Sequence, residues 1–304
     1  MIAIRPRFLI IGIFLLVFVY FFLSAFTAYS TFNVGSSESD ITPSSYNLEF
    51  EEIEIPSSTG ANISTWWIPN DSEKTILVLH GLRSQKSDEK VLRYVNEFHH
   101  LGFSVAAIDF RNHGISGVGD FTFGIDEIND VYDTLDYLYD VKAVEKIGIW
   151  GFSYGATTAV FSGMAYEPRN TNVEVVGVFS DTPYYSLLDL LTTQVARRTP
   201  MNLFMADMLK PGILLMTQIL YGFDFNSIEE NYLSLDYINM PTIVVGCSGD
   251  KTVPLYQTTR VHGSLGPNAG FLEFADCNEH GGAYDSDPER YKAEFSKLFK
   301  NLFD

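Results

Sequence analysis

Cysteine is nearly missing from this chain: only Cys247 and Cys277 occur in 304 residues. That count rules out a disulfide framework, and the spacing matches no zinc-ligand pattern. Positive charge is scarce as well. Twenty Lys and Arg stand against 38 Asp and Glu, a formal net charge of −18. A surface of that sign repels phosphate backbones, so nucleic acid is excluded as a partner. No internal repeat and no low-complexity tract is present. Apolar residues, by contrast, make up 46% of the chain and charged ones 19%, enough for a sizeable core.

The apolar residues are concentrated at one end. Arg5 and Arg7 precede FLIIGIFLLVFVYFFLSAFTA, residues 8–28, and no charge follows until Glu38. About 20 apolar residues let a helix cross the hydrocarbon core of a bilayer. Flanking arginines favour a cytoplasmic N-terminus, with the rest of the chain outside the cytoplasm. The competing reading is a cleaved signal peptide, whose apolar core is shorter, about 7–15 residues, and ends at an A-x-A-like site. Only Ala28-Tyr29-Ser30 loosely fits such a site. The expectation is therefore a transmembrane anchor over 1–28, a Ser/Thr-rich linker over 29–45 and one domain over 46–304. Were the segment cleaved, the chain would be secreted.

Within the domain, apolar runs of five to eight residues alternate with helical patterns. TILVLHG (75–81), FSVAAIDF (103–110), EKIGIW (145–150), VEVVGVFS (173–180), PTIVVGCS (241–248) and FLEFAD (271–276) read as buried strands. YNLEFEEIEI (46–55) and ANISTWWIP (61–69) read as a pair around the turn at 57–60. KVLRYVNEFHHLG (90–102), residues 124–140, residues 254–263 and YKAEFSKLFKNLF (291–303) read as helices. The alternation predicts an α/β fold, a mainly parallel sheet with helices on both faces. About 55 residues, 183–238, interrupt it and hold four of the seven methionines. An insertion at the carboxyl end of a strand is placed to act as a helical lid.

One serine stands out, in GFSYG (151–155), between EKIGIW and ATTAVF. A sharp strand-to-helix turn lifts a serine clear of the sheet, and glycines on either side relieve crowding there. The turn also leaves the amide of Tyr154 at a helix N-terminus, directed at a developing oxyanion. The motif by itself is also compatible with a structural turn carrying an inert serine. A serine nucleophile needs a base, and then an acid to orient that base. Downstream histidines occur only at 262 and 280, and His280 follows the last strand while His262 falls inside a helix. Asp250, just past the strand ending in VVGCS, is the favoured acid, and Asp181 in FSDTP is the alternative. Asp276 and Glu279 are too near His280 in the loop to turn back onto its ring. The loop His80-Gly81-Leu82-Arg83 offers a second oxyanion donor, the amide of Leu82. His80 precedes the serine and breaks the expected chain order, and Arg111, His113 and Ser116 read as loop-shaping.

These segments resemble the α/β-hydrolase superfamily. They are similar to its membrane-anchored Bem46-like and serine aminopeptidase-like members through LVLHG, AIDFRNHGISG, GFSYG, SDTPYYSL, YINMPTIVVGCSGDKTVP and EHGGAY. The likeness covers about residues 46–304. It departs at Asn112, where the family usually has Gly. It implies an eight-stranded, mainly parallel sheet and hydrolysis of ester-type bonds through Ser153, His280 and Asp250, with no cofactor and no metal. The substrate would be a small-molecule or lipid ester. A serine peptidase of aminopeptidase type is an alternative, for which Asp207, Glu229 and Glu230 could hold a peptide terminus. A second alternative is a non-catalytic binding module tethered to the membrane. Oligomeric state is not legible. Cys247 and Cys277 each precede a proposed triad member by three residues, so a bridge between them is one outcome if Asp250 and His280 meet.

Overall fold

The computed structural model describes residues 6–35, 39–164, 173–234 and 240–303. Arg5, Glu38 and residues 235–238 of the expected lid lie outside the described residues. The chain forms two compact units, one of residues 1–33 and 186–227, the other of residues 34–185 and 228–304.

The larger unit contains the sheet. Its strands are β1 (Glu51–Pro56), β2 (Asn62–Ile68), β3 (Thr75–Leu79), β4 (Ser104–Ile108), β5 (Lys146–Phe152), β6 (Glu174–Asp181), β7 (Thr242–Cys247) and β8 (Ala269–Phe274). They lie in the order β1-β2-β4-β3-β5-β6-β7-β8. β2 is antiparallel to both β1 and β4, and every other pairing is parallel. Central strands such as TILVL of β3 and SVAAI of β4 are buried at every position, as a strand covered on both faces must be. The edge strands β1 and β8 alternate buried and exposed residues instead. The strand expected over 46–55 starts later, at Glu51: a 3-10 turn, Pro43–Tyr46, is followed by Asn47 at φ +59°, outside the extended region.

Helices cover both faces; numbered in chain order, they include the short α8 (Asn226–Ser234) and α10 (Ala283–Ser286). α2 (Glu89–His100) buries Val91, Leu92, Val95 and Phe98 and stops before Gly102, whose φ is +90°. The C-terminal helix, α11 (Pro288–Phe303), buries Tyr291, Phe295 and Phe299 at helical spacing, and Phe295 stacks on Phe98 at 4.0 Å. Phe179 of β6 faces this layer, in contact with Tyr291 and Phe295. Its neighbour Ser180 faces the other way and donates to the carbonyl of Ala156 in α4 (Tyr154–Met164). α3 (Ile128–Lys142) buries Val131, Leu135 and Leu138 as expected but begins four residues later than the periodicity suggests. Glu127 explains the delay: its buried carboxylate accepts the backbone N–H groups of Thr122 and Gly124, fixing a turn ahead of the helix.

The smaller unit is helical. It comprises α1 (Pro6–Phe32), α5 (Leu187–Arg198), α6 (Leu203–Asp207) and α7 (Lys210–Tyr221). α1 meets α7 where a side chain at Gly212 would strike Tyr20 and Ser24. The Tyr20 hydroxyl accepts the Gly212 N–H at 2.8 Å. Twelve residues along α1, Phe32 stacks on Tyr221 at 3.9 Å, so the two helices run in the same direction. Lys210 bridges α5 and α6 through Asp189 (2.8 Å) and Asp207 (3.0 Å).

Candidate active site

The strand order reverses at β3: the chain passes from β3 to β4 on one side and then to β5 on the other. At such a switch the loops leaving two neighbouring strands diverge and open a crevice at their carboxyl ends. Leu79 of β3 is paired with Gly151 of β5, so the His80–Leu82 loop and Ser153 leave the sheet side by side.

Ser153 occupies the single residue between β5 and α4, at φ +54°. A non-glycine residue in the left-handed region carries strain, and surrounding bonds must hold it. Its N–H donates to the Asp181 carbonyl at 2.8 Å, and its carbonyl accepts the Thr157 N–H at 3.1 Å. A Cβ at Gly151 would overlap the Gly155 carbonyl, and one at Gly155 would overlap the carbonyls of Leu79 and His80. The turn therefore closes only with glycine at both places. Tyr154 is the first residue of α4, where the N–H precedes the first intrahelical bond and is left to an external acceptor.

The Ser153 Oγ lies 2.8 Å from His280 Nε2, and His280 Nδ1 lies 2.7 Å from Asp250 Oδ2. The second Asp250 oxygen accepts the N–H groups of Thr252 (2.7 Å) and Val253 (3.0 Å). Asp250 is buried while the His280 side chain is one-fifth exposed, so the chain of bonds runs from the interior towards solvent. With Nδ1–H given to the carboxylate, Nε2 is free to accept the serine proton.

Asp250 and His280 come from loops after β7 and β8, and three links join those loops. A disulfide bridges Cys247 and Cys277, with 5.3 Å between their Cα atoms. Gly249 N–H donates to the Cys277 carbonyl at 2.8 Å, and Ser248 N–H to the Phe274 carbonyl at 3.1 Å.

The alternative residues are engaged elsewhere. The Asp181 carboxylate accepts the Tyr291 hydroxyl at 2.8 Å, and Tyr291 in turn accepts the Trp150 indole N–H. Burial pushes the Asp181 carboxyl up to about 6, against the pull of the Tyr291 bond. Asp276 and Glu279 are exposed. His262 sits on the helix α9 (Leu255–Ser264) with its ring near the Ala269 carbonyl. His80 is fully buried: its Nδ1–H donates to the Gly81 carbonyl and its Nε2 accepts the Phe110 N–H. Burial, then the neighbouring His113, holds its pKa down to about 3, so it stays neutral and ties the loop after β3 to the loop after β4.

The loop after β4 is braced by buried charge. Arg111 binds Asp130 through Nε (2.6 Å) and Nη2 (2.8 Å), and Lys86 binds Asp109 at 2.6 Å. Asn112 has φ +64° and bonds both the Gly119 carbonyl and N–H, which explains how Asn serves where the resembled family has Gly. Ser116 donates to the Asp109 carbonyl. Of the acids considered for a peptide terminus, Asp207 is paired with Lys210, and Glu229 lies 3.6 Å from Arg260.

Two neighbours of the site were not anticipated from sequence. Lys90 Nζ donates to the His280 carbonyl at 3.0 Å, and the Phe152 ring packs 4.7 Å from the His280 ring. Phe152 was visible as the x of G-x-S. Lys90 had no signal, since a lysine at the start of an amphipathic helix normally faces water.

No protein-family model matches the chain. The uncharacterized protein YqkD of Bacillus subtilis is 25% identical over 270 residues, covering 87% of this chain and 84% of that protein. Among solved structures, the esterase Pf2001 of Pyrococcus furiosus superposes with a TM-score of 0.70 at 23% identity, covering 88% of this chain and 99% of that one. XC6422 of Xanthomonas campestris, described as an α/β serine hydrolase without lid, superposes with a TM-score of 0.56 at 14% identity over 86% and 97%. Est1E of Butyrivibrio proteoclasticus, solved with ferulic acid, gives 0.57 at 13% over 83% and 99%. With its eight strands in this order and these neighbours, the chain adopts the α/β-hydrolase fold.

Proposed function

We propose that the protein is a serine hydrolase that cleaves ester bonds through an acyl-enzyme. The observation that carries this reading is the pair of bonds Ser153 Oγ–His280 Nε2 and His280 Nδ1–Asp250 Oδ2, at 2.8 and 2.7 Å. His280 takes the Ser153 proton as Oγ attacks the ester carbonyl carbon. The amides of Tyr154 and Leu82 hold the resulting oxyanion. Collapse of the tetrahedral intermediate breaks the bond to the leaving oxygen, which receives the proton from His280. Water, deprotonated by His280, then attacks the acyl group and restores Ser153. Asp250 keeps the imidazole in the correct tautomer and stabilises the imidazolium. These steps use no metal and no cofactor. The structural neighbours Pf2001, an esterase, and XC6422, a serine hydrolase, support the bond type.

The proposal places the sheet unit outside the cytoplasm on a single-pass anchor, α1. The 21 uncharged residues 8–28 support this, as does the Cys247–Cys277 bridge, since such bonds persist in oxidising compartments. Retention of the anchor is favoured over cleavage because Ala28, Tyr29 and Ser30 lie inside the continuous helix α1, with Ala28 buried. α1 also has a packing partner in α7.

The test is hydrolysis of p-nitrophenyl esters of rising acyl length by the full chain in detergent, beside a Ser153→Ala protein. Serine-dependent turnover with a length optimum is expected. Equal turnover by the alanine protein overturns the assignment of Ser153. Cleavage of amino-acid arylamides in place of esters would move the activity to peptidase.

A further inference from the structure

The smaller unit presents its apolar side chains outwards. Phe204 is 75% exposed, Ile219 64% and Met208 60%, and Leu203, Met205 and Leu220 are exposed beside them. Residues 211–221 carry no charge at all. The two charged side chains of α6 and α7 turn to each other and to α5: Lys210 is held by Asp207 and Asp189, and Asp207 also accepts the Thr192 hydroxyl at 2.9 Å. An exposed apolar face of this kind, with its charges paired away from it, marks a contact surface.

The packing on α1 says what covers it. α7 runs beside the C-terminal half of α1, from Tyr20 and Ser24 at Gly212 to Phe32 at Tyr221. Tyr20 lies eight residues before Ala28, the end of the uncharged apolar segment, which is about 12 Å of helix. If α1 spans a bilayer from Phe8 to Ala28, the start of α7 is fixed at the depth of the outer acyl chains. Its end, with Tyr221 against Phe32, reaches the headgroup level, where an aromatic ring with a polar tip is favoured. The exposed Arg197 and Arg198 close α5 just before this face begins, as cations do at a headgroup boundary.

We propose that α6 and α7 are embedded in the outer leaflet of a lipid bilayer alongside α1, so that the insertion between β6 and β7 is itself a membrane-contacting element. This rests on the reading of α1 as a retained anchor.

The experiment labels the full chain in phosphatidylcholine–phosphatidylglycerol vesicles with a nitroxide at one added cysteine: Phe14→Cys on α1, Phe204→Cys, Ile219→Cys, or Val118→Cys on the sheet unit. All four positions are exposed, at 71%, 75%, 64% and 85%, so the substitutions leave the packing intact. Collisions with oxygen, enriched in lipid, are compared with collisions with a water-soluble nickel chelate. The expected result is an oxygen preference at 204 and 219 matching that at 14, and the reverse at 118. Nickel preference at 204 and 219 with oxygen preference at 14 overturns the proposal while the anchor stands. Nickel preference at 14 as well overturns the anchor reading and the proposal with it. Protection from both quenchers at 204 or 219, with spin–spin broadening, identifies a second copy as the cover and also overturns the proposal.

Discussion

The two units solve the problem of apolar surface in opposite ways. In the sheet unit, Trp150, Phe98, Phe295 and their neighbours are withdrawn from solvent, and 35 of the chain's 38 acidic residues lie in that unit. In the helical unit, Phe14, Phe204 and Ile219 point outwards, and only five basic and three acidic residues occur. Burial of about 25 cal/mol per Å² drives apolar side chains inward when water is the solvent, and that drive vanishes when lipid is. Net charge has the matching logic: a strongly acidic unit stays dissolved, while a nearly neutral one is compatible with hydrocarbon. The difference is what the proposed embedding, two solvents for one chain, requires.

The sharpest way to separate the units is to remove the chemistry from one of them. Ser153→Ala is expected to lower kcat by about 10⁶-fold, and Asp250→Asn by about 10⁴-fold, with neither shifting the collision profile of α6 and α7. Ester turnover by the purified proteins checks both values.

Asp130→Asn comes next. It leaves the Arg111 guanidinium buried without its carboxylate, at a cost of about 3–5 kcal/mol to the sheet unit. A thermal melt followed by tryptophan fluorescence reads that loss, because Trp66, Trp67 and Trp150 all lie in the sheet unit.

Cleaving the Cys247–Cys277 bridge with a thiol reductant should cost about 3.6 kcal/mol, the value for closing a loop of this size. A lower melting temperature in reductant, unchanged in a Cys247→Ser/Cys277→Ser protein, is the expected pair of results. Ester turnover should fall as well, since the bridged loops carry Asp250 and His280.

Gly212→Leu acts on the other unit. It drives a side chain into Tyr20 and Ser24 and should cost about 1–3 kcal/mol of α1–α7 packing. Hydrogen exchange should quicken in α7 and stay unchanged in β5. Equal quickening in both would show that the units do not unfold separately.

The smallest effect is in pH dependence, and its sign follows from two buried groups. His80 stays neutral in the fold down to about pH 3, whereas an unfolded histidine protonates near 6.5. Between those values the unfolded chain binds more protons, so stability falls as pH drops through that window. Asp181 works the other way. Its carboxyl is raised to about 6 from an ordinary 3.8, so its contribution is present below pH 3.8 and is lost as pH rises through 6. Between about pH 4 and 6 the two contributions nearly cancel, and the wider His80 window leaves a net rise in stability with pH only at its two ends, below about pH 4 and between about pH 6 and 6.5. Asp181→Asn removes the opposing contribution. Its melting temperature relative to the parent should be higher at pH 7.5 than at pH 4.5.

Much of the sheet was legible because its central strands are short, mainly apolar and separated by helical periodicity. β3, β4, β6 and β7 fall where continuous runs of Val, Ile, Leu and Ala end in glycine or in small polar residues. The candidate nucleophile was legible because Gly151 and Gly155 meet a steric demand that is local to one turn. His280 stood out from His262 because it follows a strand end, whereas two acids, Asp181 and Asp250, stand at strand ends.

Other features depend on residues far apart in the chain. Glu127, Asp130 and Lys86 look like surface charges in sequence, yet all three are buried, because Arg111, Asp109 and the Thr122–Gly124 backbone arrive to satisfy them. Lys90 reaches the His280 carbonyl across 190 residues. Whether Asp181 or Asp250 meets the imidazole was open in sequence, and the Tyr291 hydroxyl from α11 is what engages Asp181.

The α/β alternation, the glycine-flanked turn at Ser153 and an apolar segment long enough to cross a bilayer are each set by residues close together in the chain, and so are readable there. Which acid faces His280, the meeting of Cys247 with Cys277 and the course of α7 along α1 emerge on folding. Those depend on which loops and helices the strand order and packing bring together, and no local pattern records that.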